Sequence, residues 1–152
     1  MILVFLAAAA TSPDCYKLKN AIAKDECLLK QAMLAPAPNC AKQMTQFDMN
    51  VCSFQVFLKS DIEMNRAWSK ALSSARASDK WSREHKFGAA VEVSRLVAAQ
   101  RSWIAFRDAQ CRVEAGTPDE GGSMWAMNDN WCRQKLTDVR TAELREYAEP
   151  KN

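Results

Sequence analysis

Six cysteines constrain this chain more than any other feature, because four of them fall into two matched pairs. Eleven residues separate Cys15 from Cys27, and eleven separate Cys40 from Cys52. Cys111 and Cys132 flank the glycine-rich stretch. An even count with local spacing points to disulfides formed in an oxidising compartment. No C-x-x-C spacing occurs, so the cysteines read as bridges rather than zinc ligands or nucleophiles. The expected bridges are Cys15–Cys27, Cys40–Cys52 and Cys111–Cys132. Geometry restricts how the first two can form. Residues twelve apart in a straight helix stand about 18 Å from each other, beyond disulfide reach. Each first cysteine must therefore precede its helix and fold back onto it. Cys40 precedes a helix cap at Thr45. Cys15 can do the same only if the first helix starts later than Pro13, near residues 19–24. Cross-pairing between the two segments is the alternative.

The N-terminus fits export. Met1, Ile2, Leu3, Val4, Phe5 and Leu6 are apolar, and Ala8 to Ala10 supply an A-x-A cleavage pattern. No Lys or Arg precedes the run. It is shorter than the roughly 20 apolar residues of a membrane span. Residues 1–10 thus read as a signal-like segment, leaving one mature domain of about 142 residues. The expected location is periplasmic or secreted. Net charge is +3, from 21 basic and 18 acidic residues. That balance is too weak for a dedicated nucleic-acid binder, which clusters far more positive charge.

Proline and glycine punctuate the chain into helices, and no run alternates as a strand does. The expected fold is all-α: an antiparallel bundle of about four helices, stapled by disulfides. The first helix spans roughly residues 13–33 and is ended by Pro36 and Pro38. The second starts near Thr45, where Thr45 and Asp48 resemble a capping box. Phe47, Val51, Phe54, Leu58 and Ile62 form its apolar stripe, which Trp68 and Leu72 extend. The Ser-rich stretch 73–80 reads as a turn. A third helix covers about 80–112, with Val97, Gln100, Ile104 and Cys111 on one side and Leu96, Trp103 and Phe106 beside them. A loop over 114–130 follows, then a fourth helix over 131–148 with Leu136, Val139, Leu144 and Tyr147 inward.

Several patterns recur in fixed order. They are Cys40-x11-Cys52 with Thr45, Gln46 and Asn50; Asp61-x-x-Met64-Asn65-x-x-Trp68; Ala99-Gln100-x-x-Trp103-x-x-Phe106-Arg107-Asp108 before Cys111; Gly121-Gly122-Ser123; and Cys132-x-x-x-Leu136-Thr137-x-x-Arg140-x-x-x-Leu144. In this order and spacing the chain resembles the LprI-like lysozyme-inhibitor domain family of exported bacterial proteins. The resemblance covers about residues 40–147. It implies a small helical envelope or surface domain and, from the family's name, inhibition of lysozyme. Fold transfers more safely than activity. The organisation expected is a signal-like segment at 1–10, a helical extension with its own cysteine pair at 11–39, and the family domain at 40–152. Asn65, Gln100, Trp103, Arg107, Asp108 and Arg140 then read as structural motif residues, with Asn65 and Gln100 in an amide contact between the second and third helices.

Catalysis finds no support in the residues. His85 is the single histidine and lies in a polar stretch. Met124 and Met127 form M-x-x-M, too few thioethers for a Cu(I) site without further Met or His. No metal and no cofactor is expected, and the chain reads as a binding module rather than an enzyme. Arg76, Lys80, Arg83 and Lys86 recur at helical spacing. They read first as a solvated face, and they would also suit anionic glycans, lipid headgroups or nucleic acid. The segment between Cys111 and Cys132 is net acidic in a basic chain, holding Glu114, Asp119, Glu120 and Asp129 against Arg112. Asp119, Glu120, Met124, Trp125 and Asp129 are its candidate contacts for a cationic partner such as lysozyme. The competing reading is an accessory envelope protein that binds another protein or a glycan. Nothing in the sequence fixes an oligomeric state.

Overall fold

The computed structural model describes residues 14–34, 39–42 and 45–149. The signal-like segment expected at 1–10 lies outside them. Five α-helices follow a 3-10 turn at Cys15–Lys17: α1 (Ala21–Leu34), α2 (Gln46–Glu84), α3 (Glu92–Ala115), α4 (Pro118–Gly121) and α5 (Trp125–Ala148). There is no strand among the described residues. Each long helix reverses the direction of the one before it. Ala32 of α1 lies against Gln55 of α2, while Glu26 lies against Arg66, so α1 and α2 are antiparallel. α3 returns along α2, and α5 runs parallel to α2, with which it shares the most extensive interface.

All three expected bridges are present, with Cα–Cα distances of 5.6, 5.6 and 5.5 Å. Cys15 reaches Cys27 because it sits in the 3-10 turn and α1 does not begin until Ala21. The first helix therefore starts at the late position that the bridge demands, not at Pro13. Cys40 precedes the α2 cap in the same manner. At that cap, Thr45 Oγ1 accepts the Asp48 amide at 3.1 Å and Asp48 Oδ2 accepts the Thr45 amide at 3.1 Å. Aspartate here fills the place that Glu or Gln takes in a usual capping box.

α2 is 39 residues long, roughly 58 Å from end to end. The turn expected at 73–80 is instead continuous helix. The stretch holds no Gly or Pro, and its serines are interspersed with Ala75, Arg76, Ala77 and Lys80, residues that favour helix. Ala67, Ala71 and Ala75 are almost fully buried at four-residue spacing. Their small side chains let the neighbouring backbones come close. They form the core with Met64, Leu96 and Leu144, against which Trp68, Val93, Trp103 and Tyr147 pack. α2 ends at Glu84, and the chain turns away through Lys86, φ 51°, and Gly88, φ 69°. The third helix therefore starts at Glu92 rather than near residue 80. Val91 offers that start no cap. Asp79 of α2 supplies it, accepting the Glu92 and Val93 amides at 2.8 and 3.2 Å.

Of the apolar residues expected inside, Leu58, Ile62 and Leu144 are buried, while Phe54, Val97, Trp103 and Leu136 are half-buried. Ile104 is exposed at 39%, and Phe47 and Val139 are also exposed. α3 is rotated from the expected register. Its buried rib is Leu96, Gln100, Arg107, Cys111 and Ala115, and Ile104 stands about 100° round the helix from Trp103. Ile104→Ala should therefore change stability by less than about 1 kcal/mol, as for a surface position. Urea denaturation checks this, and a loss of several kcal/mol would place Ile104 in the core after all.

Candidate functional site

Two features are built into this bundle: a buried charge network at its centre and an acidic helical turn at one end. The network centres on Arg107, 8% exposed. Its Nη1 donates to Asp61 Oδ1 at 3.2 Å and its Nε to Asp108 Oδ1 at 3.1 Å. The guanidinium carbon lies 5.3 Å from the centre of the Trp103 ring and 5.8 Å from that of Phe57. Asp108 also accepts Arg133 at 2.8 Å, and Arg133 donates to Asp129 at 2.7 Å. Asn65 donates to the Asp61 carbonyl and carboxylate. One turn away, Arg140 Nε donates to Gln100 Oε1 at 2.9 Å, with its guanidinium carbon 5.9 Å from the centre of the Trp103 ring. Gln100 donates in turn to the Met64 sulfur at 3.7 Å. Charge-assisted bonds of this kind tie α2, α3 and α5 at fixed geometry. The amide contact expected between Asn65 and Gln100 is not made. Each takes a partner of its own, because Asp61 and Met64 on α2 lie closer to hand.

The acidic turn begins where α3 stops at Gly116, φ 72°. Thr117 caps α4, with Glu120 accepting the Thr117 amide at 2.8 Å and Pro118 in the first turn. A Cβ on Gly121 would lie 2.8 Å from the Trp125 Cβ, so only glycine fits there. Trp125 then opens α5, and its indole donates to the Gly116 carbonyl at 3.0 Å. Asn50 of α2 donates to the Ser123 carbonyl at 3.0 Å, fixing the turn beside the start of α2. The Cys111–Cys132 bond clamps its base. The loop expected over 114–130 is thus mostly helical, with α5 starting six residues early.

A family model described as "Lysozyme inhibitor LprI" matches residues 37–144. The chain belongs to the LprI lysozyme-inhibitor family. It is also 38% identical over 114 residues to an uncharacterised protein of Rhizobium meliloti (strain 1021), covering 75% of this chain and 81% of that protein. No solved structure matches it significantly. The family match spans α2 to α5 and begins after α1, so the Cys15–Cys27 bridge lies before it. Asn65, Gln100, Trp103, Arg107, Asp108 and Arg140 all fall within the match, and all belong to the network around Arg107 and Arg140, of which the Asp108 carboxylate is the exposed edge.

The five candidate contact residues divide. Asp119, Glu120 and Met124 are exposed. Trp125 is half-buried as a strut, and the Asp129 side chain is only 13% exposed beside Arg133. Met127 is buried and accepts a bond from Gln46, so the M-x-x-M pair does not share one environment. Exposed apolar surface comes instead from Trp131 and Val113. Trp131 lines a shallow depression with Glu114, Asn128, Cys132 and Lys135. The sequence signal for Trp131 was its place directly before Cys132.

Reading by residue type missed Asp25 altogether. It lies on α1, 5% exposed, with Oδ2 unbonded among the described residues. Burial, helped by a hydrogen bond and repulsion from Asp61, pushes its carboxyl up to about 7. Two carboxyls can hydrogen-bond each other only when one keeps a proton.

Proposed function

We propose that this LprI-family chain is an exported binding protein, without catalysis, that inhibits lysozyme or a related muramidase by direct contact. The observation that carries the reading is the clamped turn between Cys111 and Cys132. It displays Asp119 and Glu120 to solvent at one end of the bundle, with Trp131 exposed nearby. Lysozymes are often basic, and the chain's net charge of +3 opposes encounter with them. The acidic segment, with one basic against four acidic residues, reverses that sign locally. Exposed charges of this kind act through steering. An exposed indole supplies the anchor type that dominates interface energetics. Three disulfides support an oxidising location. Among the described residues no helix is long and apolar enough to cross a membrane.

The test is inhibition of cell-wall lysis by lysozymes of several structural types, with binding kinetics for any that respond. Asp119→Lys should slow association several-fold at low salt and flatten the salt dependence, while Glu120 is kept because its carboxylate caps α4 through the Thr117 amide. Trp131→Ala should instead speed dissociation about tenfold. Trp125→Ala is unsuitable for this purpose because it removes the strut under the turn. Folded variants that inhibit as well as the parent would remove this segment from the mechanism.

A further inference from the structure

The opposite end of the molecule has a different chemistry. α2 runs on past Ala75, its last residue in the core cluster, and every residue from Lys80 to Ala89 except Ser82 is exposed. Trp81 stacks on His85 with ring centres 4.6 Å apart, and Phe87 meets Trp81 edge-on at 5.5 Å. These rings face water: Trp81 is 49% exposed and Phe87 69%. Arg76, Lys80 and Arg83 share the other side of the same helix end, about 100–160° round from Trp81, and Lys86 follows in the turn. Lys80 pairs loosely with Glu84 at 3.7 Å, and Asp79 is buried under the start of α3. Arg76, Arg83 and Lys86 make no ion pair among the described residues. With α2 running past the core cluster and residues 83–89 all exposed, this end projects from the bundle.

We propose that this tip docks onto an anionic lipid surface. Its shape and charge argue for that occupant. The rings sit on a convex projection, whereas small ligands and sugars are held in concave sites. A projection of about ten residues is also too small for a stable protein interface, which buries ~800 Å² per partner. A bilayer needs no such area. Trp seats at the headgroup level, and Lys and Arg are drawn to anionic lipid within about a Debye length. The tip and the acidic turn lie at opposite ends of α2, roughly 58 Å apart. Docking by one end would leave the other facing away from the membrane.

Vesicle co-sedimentation of the full chain tests this. Vesicles of phosphatidylglycerol and phosphatidylcholine in equal parts should bind it at low salt, and phosphatidylcholine alone should not. Trp81→Ala with Phe87→Ala, and separately Arg76→Glu with Arg83→Glu, should each weaken binding at least about tenfold while keeping native helicity. Vesicle binding should also shift tryptophan emission to the blue, and Trp81→Phe should abolish most of that shift. Equal binding by parent and variants would overturn the proposal. So would equal binding to neutral vesicles, an emission shift that survives Trp81→Phe, or capture by a soluble anionic glycan with no vesicle binding.

Discussion

Arg107→Met is expected to cost about 3–5 kcal/mol of stability, the loss seen when one partner of a buried ion pair is removed. The side chain is 8% exposed and is the cation that Asp61 and Asp108 share. Met restores much of the volume and none of the charge. Asp61 would then be left beside Asp25 with no neutralising group from α3, and Phe57 and Trp103 would lose the cation near their faces. Arg107→Lys should recover only part of the loss, because a single ammonium cannot reach Asp61 and Asp108, and the Thr137 hydroxyl 3.5 Å from Nη1, as the planar fork does. The double variant Arg107→Met with Asp61→Asn should be less unstable than the two losses summed, since the second change removes the stranded charge. Chemical denaturation of the parent, the three single variants (Asp61→Asn included) and the double variant measures all of this. A cost below about 1 kcal/mol for Arg107→Met would show that water reaches the network and solvates what remains.

That network also marks how far the sequence could be read. Local features were legible because their causes are local. The Thr45–Asp48 cap, the helical content and the three bridges depend on residues close in the chain. The late start of α1 follows from the reach of a disulfide alone. The register of α3 was not legible from periodicity. Its buried face carries Gln100 and Arg107 where a pattern search looks for Val97 and Ile104, and α5 likewise buries Asn130, Thr137 and Thr141 rather than Val139. Polar residues go inside only when distant partners await them, and Asp61 lies 46 positions from Arg107. The family motif flagged Gln100, Arg107 and Thr137 where hydrophobicity could not, but not Asn130 or Thr141. The continuity of α2 through its serines was missed for a related reason. Burial of Ala71 and Ala75 against α3 and α5 sustains it, and Asp79 gains a role only because α3 begins beside it. In the acidic segment the charges were legible, but their orientation was not. Asp129 turns to Arg133 and Trp125 to Gly116, which leaves Asp119, Glu120 and Met124 as the exposed members of the expected set, joined by Trp131.

The second large effect is one of pH. Stability should fall by up to about 4 kcal/mol as pH rises from about 4 to about 7, and Asp25 is the cause. Its carboxyl titrates at about 7 in the fold and near 3.9 in the unfolded chain. Between those values the folded state holds a proton that the unfolded state has released, so raising pH favours unfolding. Below the lower value both states are protonated and the full stability is present. Above the upper value both are ionised and nothing further is lost. The groups that face Asp25 account for the direction. Asp61 on α2 raises its pKa, and Lys24 on α1 and Arg107 on α3 oppose that without overcoming burial. Asp25→Asn keeps the size and a donor toward Asp61 but cannot ionise. Its stability should match the parent near pH 4 and exceed it by a few kcal/mol at pH 8. Denaturation curves for both proteins between pH 4 and 8 separate this group from every other carboxylate, because the remaining titrations are common to the pair. Parallel stability profiles would mean that Asp25 is ionised in the fold and that α1 rests on Asp61 through some other contact. A gap that opens through pH 7 would make the seating of α1, the helix that precedes the family match, sensitive to acidity in the neutral range.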